Sequence, residues 1–225
     1  MNILALDTSC AVLSAALSSP DGVRYIEIDA GSRHSELLMG LVDTLFKSAG
    51  MKPEDLEAAA CMKGPGSFTG LRIGYAAAKG LSLALGIPLA AVPTLDCIAH
   101  PHSAWPGLVL PSLDAKKGRF FAAFYRNGQR LGDYLDASPE AISGTLETLR
   151  TGREEKVILT GPGGELLLSR LPSLQGLTVD PSFKRGRAFE LLDKLSKNVI
   201  LNYKENVYSG PLYLRKSDAE LSLHP

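Results

Sequence analysis

Several common signatures are missing from this chain of 225 residues, and each absence removes a class of function. There is no excess charge of either sign. Lys plus Arg equals Asp plus Glu at 24 each, so no overall field draws the chain to nucleic acid or to an anionic membrane. Cys10, Cys61 and Cys97 are an odd set without CxxC spacing, each beside apolar residues. That pattern argues against a disulfide framework or a thiolate zinc site, and for reduced, buried cysteine. Long hydrophobic runs are also lacking. No stretch approaches membrane-spanning length, and Met1 leads directly into a short apolar run instead of a basic segment and a long apolar one. We expect a cytoplasmic protein with no membrane partner. The local basic clusters Lys116, Lys117, Arg119 and Lys184, Arg185, Arg187 read as solvated turns or helix starts.

What is present is glycine concentrated in one place. The stretch Cys61-Met62-Lys63-Gly64-Pro65-Gly66-Ser67-Phe68-Thr69-Gly70-Leu71-Arg72-Ile73-Gly74 follows the apolar run Ala58 to Met62 and enters a proline-free segment, Leu71 to Leu85. It reads as strand, glycine turn, helix. Two familiar phosphate loops fail on spacing. A P-loop ends in Gly-Lys-Ser/Thr, but Gly70 is followed by Leu71 and Arg72. The dinucleotide fingerprint spaces its glycines G-x-G-x-x-G, one residue tighter than Gly64, Gly66 and Gly70, and no acidic residue stands at the ribose position. Two readings stay open: a turn whose free N–H groups hold a phosphate, and a tight connection with nothing bound.

The rest of the chain repeats a pattern. Asn2 to Leu6, Ala11 to Leu17 and Val23 to Ile28 are strand-like and closely joined, which predicts an antiparallel meander. A helix over Ser35 to Ala49 follows, with Leu38, Leu41, Val42, Leu45 and Ala49 in one stripe, Leu37, Met39 and Phe46 widening it, and Gly50 as stop. Then come the strand at Ala58, the glycine turn, its helix, a strand from Pro88 to Val92 and a short helix from Thr94. From Leu108 the order recurs: strands Leu108 to Leu113, Arg119 to Tyr125 and Arg130 to Leu135, with an Asn127-Gly128 turn. Next is a helix opened by Ser138-Pro139-Glu140, then a strand Val157 to Thr160 entering Gly161-Pro162-Gly163-Gly164. The last helix, Glu165 to Leu171, ends at Pro172. Asp7 thus corresponds to Asp114, and Gly64-Pro65-Gly66 to Gly161-Pro162-Gly163.

Two facing β-β-β-α-β-α units are the plan of the actin, hexokinase and Hsp70 class. We divide the chain into lobes 1–104 and 105–225, each a mixed sheet flanked by helices, α/β and ribonuclease H-like. In that class ATP lies between the halves, so a nucleotide cleft would draw on Asp7, Thr8, Ser9, Gly64, Gly66, Ser67, Asp114, Gly161 and Gly163, with magnesium near the carboxylates. The competing reading makes each aspartate the cap of a β-turn and the serines and threonines turn residues.

With Ile3-Leu4-Ala5-Leu6-Asp7-Thr8-Ser9, His34-Ser35-Glu36, the long glycine motif and Pro211-Leu212-Tyr213-Leu214-Arg215 together, the sequence closely resembles the bacterial TsaB (YeaZ) family over its whole length. The resemblance implies an actin-like fold and a role in the N6-threonylcarbamoyl modification of adenosine 37 in tRNAs reading ANN codons. It implies that transfer is performed by a paralogue, TsaD, aided by the ATPase TsaE on threonylcarbamoyl-AMP from a separate synthase. TsaD carries an H-x-x-x-H metal pair after the strand matching Pro88 to Val92; those positions here are Thr94 and Ile98, which cannot replace imidazole. His100 and His102 are two apart around Pro101 and read as loop residues, and His34 as a helix start.

That shifts the expectation from enzyme to non-catalytic scaffold. The helix over Leu71 to Leu85 is apolar on nearly all sides. Ile73, Ala77, Gly80, Leu81 and Ala84 are expected to face inward; Tyr75, Ala78, Ser82 and Leu85 are expected to leave a small-residue outer face. The partner surface is read as His34, Leu37, Leu38, Leu41, Val42, Leu45, Arg72, Tyr75, Ala78, Lys79 and Ser82. The resemblance implies that TsaD docks there, that the chain pairs with itself when TsaD is absent, and that tRNA is reached only through the complex. The alternative is an independent ATP-using kinase or ATPase. A peptidase has less support, since no nucleophile is set beside a base.

Overall fold

The first three strands form where expected because their short, apolar-rich runs are separated by turn residues. In the computed structural model, which describes residues 1–152, 154–171, 175–182, 184–195, 203–206 and 208–215, β1 (Ile3–Asp7), β2 (Val12–Ser19) and β3 (Gly22–Asp29) make an antiparallel meander. α1 (His34–Ala49) then leads to β4 (Ala58–Gly64), α2 (Phe68–Leu85), β5 (Leu89–Pro93) and α3 (Thr94–Ala99). β4 pairs parallel with β1 and β5 parallel with β4, giving the order β3-β2-β1-β4-β5. The central β1 is buried along its whole length, as a strand covered on both faces must be.

The second half repeats this. β6 (Leu108–Asp114), β7 (Phe120–Arg126) and β8 (Gln129–Ala137) are followed by α4 (Pro139–Leu149), β9 (Val157–Thr160), α5 (Gly164–Leu168) and β10 (Leu177–Val179). Their order, β8-β7-β6-β9-β10, is that of the first sheet element for element. Asn127 (φ 51°) and Gly128 (φ 74°) close the β7–β8 hairpin in the left-handed region, as that dipeptide predicts. Ser138 caps α4 through the Ala141 N–H at 3.4 Å with Pro139 in the first turn. Pro172, expected to end the last helix, lies outside the described residues.

The two compact units do not divide at 104. One comprises Met1–Cys97 with Gly186–Leu212, the other Ile98–Arg185 with the described residues of Tyr213–Pro225. The reason lies in the first sheet, which has two apolar faces. Leu4, Leu6, Leu13 and Leu17 are covered by α1 and α2, whereas Ile3, Ala5, Ala16 and Met62 need another cover. α6 (Ala188–Lys194) supplies it through Ala188, Leu191 and Leu192, with Leu195 just beyond. A segment after it adds to edge strand β5 by an isolated bridge, Ala90 to Lys204, and the Glu205 N–H donates to Leu89 O at 2.9 Å. In the second unit Leu108, Leu110, Phe120 and Phe124 pack with Ile142 and Leu146 of α4.

Candidate functional site

Asp7, Thr8 and Ser9 leave the end of β1 fully buried. The Asp7 carboxylate accepts the Ser9 N–H at 2.9 Å and the Ser9 hydroxyl at 2.6 Å, which is the turn-capping role open to any aspartate at a strand end. Its other oxygen accepts the Arg187 N–H at 2.9 Å. The same return is held by Ser14, whose hydroxyl accepts the Ala188 N–H at 3.0 Å, and by Glu27, which accepts the Gly186 N–H at 3.0 Å. Asp7 therefore fastens residues 186–188 to the first sheet.

The glycine motif meets this strand end backbone to backbone. Ser67 caps α2 by accepting the Gly70 N–H at 3.2 Å, and the Ser67 N–H donates to Ser9 O at 2.7 Å. The Thr8 hydroxyl donates to Gly70 O at 2.7 Å. A Cβ on Gly66 would stand 2.6 Å from Ser9 O, and one on Gly70 or Gly74 would run into Thr8. Gly64 has φ 111° and precedes a cis Pro65, with the Leu212 N–H donating to Lys63 O at 2.6 Å beside it. In the second unit a Cβ on Gly161 would stand 2.8 Å from Ser112 O, and one on Gly163 2.9 Å from the Leu113 backbone. In both units the space beside the glycines is occupied by the chain itself. Of the two readings of the motif, the geometry supports the tight connection. Asp114 accepts the Lys116 N–H and ammonium, each at 2.8 Å. Partial burial works to raise its pKa, but the Lys116 bonds and charge, with Arg170 nearby, outweigh it and hold the carboxyl below the ordinary aspartate value.

The two helices expected to dock a partner divide cleanly by exposure. Leu38, Val42 and Leu45 of α1 and Tyr75 and Ala78 of α2 belong to this chain's own core, so they are corrected from partner residues to packing residues. His34 is buried too, its Nε2 2.8 Å from Cys10 O. Leu37, Leu41, Lys79 and Ser82 are half-buried and Arg72 is exposed, its guanidinium 3.8 Å from the centre of the Phe68 ring. Of the residues expected inward on α2, Ile73, Ala77 and Leu81 do pack against the core, half-buried, whereas Gly80 and Ala84 do not. Gly70 and Gly74 must face Thr8, and the four-residue repeat carries Ala78 inward with them; Ala76, Gly80, Leu83 and Ala84 point to solvent. Leu83 is 60% exposed and Met39 of α1 53%. Between the helices Leu37, Leu41, Ile73, Ala77 and Leu81 form a half-buried apolar floor.

Thr94 and Ile98 are buried on α3. His102 is not simply a loop residue: its Nε2 stands 3.1 Å from the Asp180 carboxylate, which also accepts the Thr160 hydroxyl at 2.7 Å and the Ser182 N–H at 2.8 Å. The sequence offered no sign of that pairing across 78 residues.

The model of the family described as TsaD: tRNA N6-adenosine threonylcarbamoyltransferase matches residues 27–173. A Bacillus subtilis protein named tRNA threonylcarbamoyladenosine biosynthesis protein TsaB is 39% identical over 128 residues, 56% of each chain. The Escherichia coli protein of the same name is 33% identical over 159 residues, 66% of this chain and 68% of that one. The chain belongs to the TsaB (YeaZ) family. It sits within the broader sequence family that the transferase model describes, and its match spans just over half the length of the B. subtilis relative. YeaZ from Pseudomonas aeruginosa superposes with a TM-score of 0.79 at 25% identity, covering 95% of this chain and 99% of that one. The α/β fold with two actin-like units is thereby the one expected for TsaB.

Proposed function

We propose that this chain works in tRNA threonylcarbamoyladenosine biosynthesis as a non-catalytic subunit that docks onto the transferase TsaD through the outer face of α1 and α2. The observation that carries the reading is that face. Met39, Ala76, Leu83 and Ala84 stand free on two adjoining helices, above a half-buried apolar floor, and Gly40 and Gly80 leave open space beside them. Small residues let a second helix approach closely, and exposed leucine and methionine supply apolar area to bury. The matched stretch 27–173 contains both helices, which supports pairing with a chain built on the same plan and, in its absence, with a second copy. By the family resemblance the metal histidines of the transferase fall on Thr94 and Ile98, both buried here, which supports leaving the transfer step to TsaD, with TsaE and tRNA joining through the complex.

Titration calorimetry of the purified chain with TsaD tests the docking. Binding that falls at least tenfold on Leu83→Glu is the expected result. A complex unweakened by Leu83→Glu and Ala76→Glu together would sink the surface. A parallel titration with ATP and magnesium is expected to give no heat in the isolated chain; metal-dependent binding that weakens on Asp7→Asn would favour an ATP-using enzyme instead.

A further inference from the structure

The two units make one and the same turn in different ways. After β1 the chain passes from Asp7 to Val12 through Thr8, Ser9, Cys10 and Ala11, which carry no charge, and Thr8 and Ser9 are buried beside the glycine motif. After β6 it passes from Asp114 to Phe120 through Ala115-Lys116-Lys117-Gly118-Arg119, and Lys116, Lys117 and Gly118 are exposed. This second turn is closed by the Ala115 N–H on Arg119 O and the Arg119 N–H on Lys116 O, each at 3.0 Å.

Its backbone is unfavourable for the residues it carries. Lys116 (φ 61°), Lys117 (φ 53°) and Gly118 (φ 77°) stand in succession in the left-handed region. Asn127 of the next hairpin suits that region because its short amide can bond the nearby backbone, whereas lysine brings a Cβ and no such group. The fold does not impose the strain, since the equivalent turn after β1 contains no left-handed residue. Strain kept at exposed residues is the mark of a second use.

Charge gathers at the same place. Lys116 pairs with Asp114 at 2.8 Å, Arg119 and Arg215 converge on Asp136 at 2.9 and 2.6 Å, and Arg170 helps hold the Asp114 carboxyl down. With Lys117, five cations stand around two carboxylates, a local net charge of +3 on a chain whose total is zero. The arginines are committed to Asp136 and brace the turn. Lys116 is 80% exposed, and an ion pair so open to water exchanges readily for another anion.

We propose that the Lys116-Lys117 turn is a phosphate-contact site through which this chain itself touches the backbone of tRNA. The occupant follows from charge complementarity and from the family, whose named members work in tRNA threonylcarbamoyladenosine biosynthesis. Flexible ammonium groups side by side suit successive phosphates of a strand and read no bases, so they position the RNA and leave choice of the adenosine to other contacts. The inference does not rest on the α1 and α2 docking face.

The test uses the isolated full chain, so the outcome is independent of TsaD. Binding of a fluorescently labelled, unmodified tRNA transcript is followed by anisotropy over a range of salt. Lys116→Gln with Lys117→Gln is expected to weaken binding at least fivefold at low salt, to reduce the slope of log affinity against log salt by about two, and to leave the melting temperature unchanged. The control pair Lys47→Gln with Lys52→Gln, which removes the same charge elsewhere, is expected to stay within twofold of wild type. No binding by the wild-type chain, a fall of less than fivefold in the turn variant, or an equal fall in the control pair overturns the inference.

Discussion

Gly70 and Gly80 occupy the same helix and meet opposite circumstances. A Cβ on Gly70 runs into the Thr8 carbonyl, whereas one on Gly80 meets open space. Gly70→Ala is expected to cost about 1–3 kcal/mol, the usual range for overpacking, because the atom in the way is backbone. Gly80→Ala is expected to stabilise by about 0.5–1 kcal/mol through lower unfolded-state entropy and better helix propensity. Urea denaturation of the two variants against wild type checks both signs. Asp180 gives a pH prediction at this scale. Burial works to raise its pKa, but bonds from Ser182, Thr160 and His102 outweigh it and bring the value to about 2. A carboxylate depressed by folding contributes stability that is present above its unfolded pKa, near 3.9, and is lost as pH falls through the folded value. Stability is therefore expected to fall by about 1–2 kcal/mol between pH 4 and 2 on account of this group, a portion of the acid slope that Asp180→Asn removes.

At the scale of elements, the described residues of 203–212 are tied to edge strand β5 by the Lys204 bridge and to β4 through Lys63. Glu205 accepts from Lys63 Nζ at 2.5 Å, and the Leu212 N–H donates to Lys63 O at 2.6 Å on the neighbouring backbone. Glu205→Ala leaves the Lys63 ammonium without that partner and is expected to speed hydrogen exchange at the Leu212 and Glu205 amides at least tenfold. Exchange within β1 should stay unchanged; equal acceleration there would mean global destabilisation rather than a loosened segment. The phase of α2 belongs to this scale too. Its sequence is apolar nearly all round, so periodicity alone makes only part of the choice of inward side: Ile73, Ala77 and Leu81 pack against the core as expected, but Tyr75 and Ala78, expected outside, are buried as well. The choice is fixed by Gly70 and Gly74 against Thr8, a contact across 62 residues whose only trace in the sequence is the glycine spacing.

Across the whole molecule, the first sheet depends on residues from the far end of the chain. Leu191, Leu192 and Leu195 bury against it, at about 1.5–3 kcal/mol for each leucine, a sum comparable to the full stability of a domain. A fragment of residues 1–104 is therefore expected to lack a cooperative thermal transition and to bind a hydrophobic dye, although it contains every strand of its sheet. A sharp melting transition in that fragment, followed by circular dichroism, would show that α6 is dispensable.

What the sequence determined by itself is local or repeated. The meander of β1 to β3, the Asn127-Gly128 hairpin, the Ser138 cap and the doubling of one unit all follow from patterns within a few tens of residues, because turn chemistry and hydrophobic period are set by near neighbours. The glycine motif announced a close approach without saying to what. Tertiary structure alone decided that its neighbour is Thr8 and Ser9 of the same chain, that His102 meets Asp180, and that α6 returns to cover the first sheet. Those contacts join residues nearly sixty or more positions apart, where the partner is selected by which buried surfaces and polar groups are left unsatisfied once the local elements have formed.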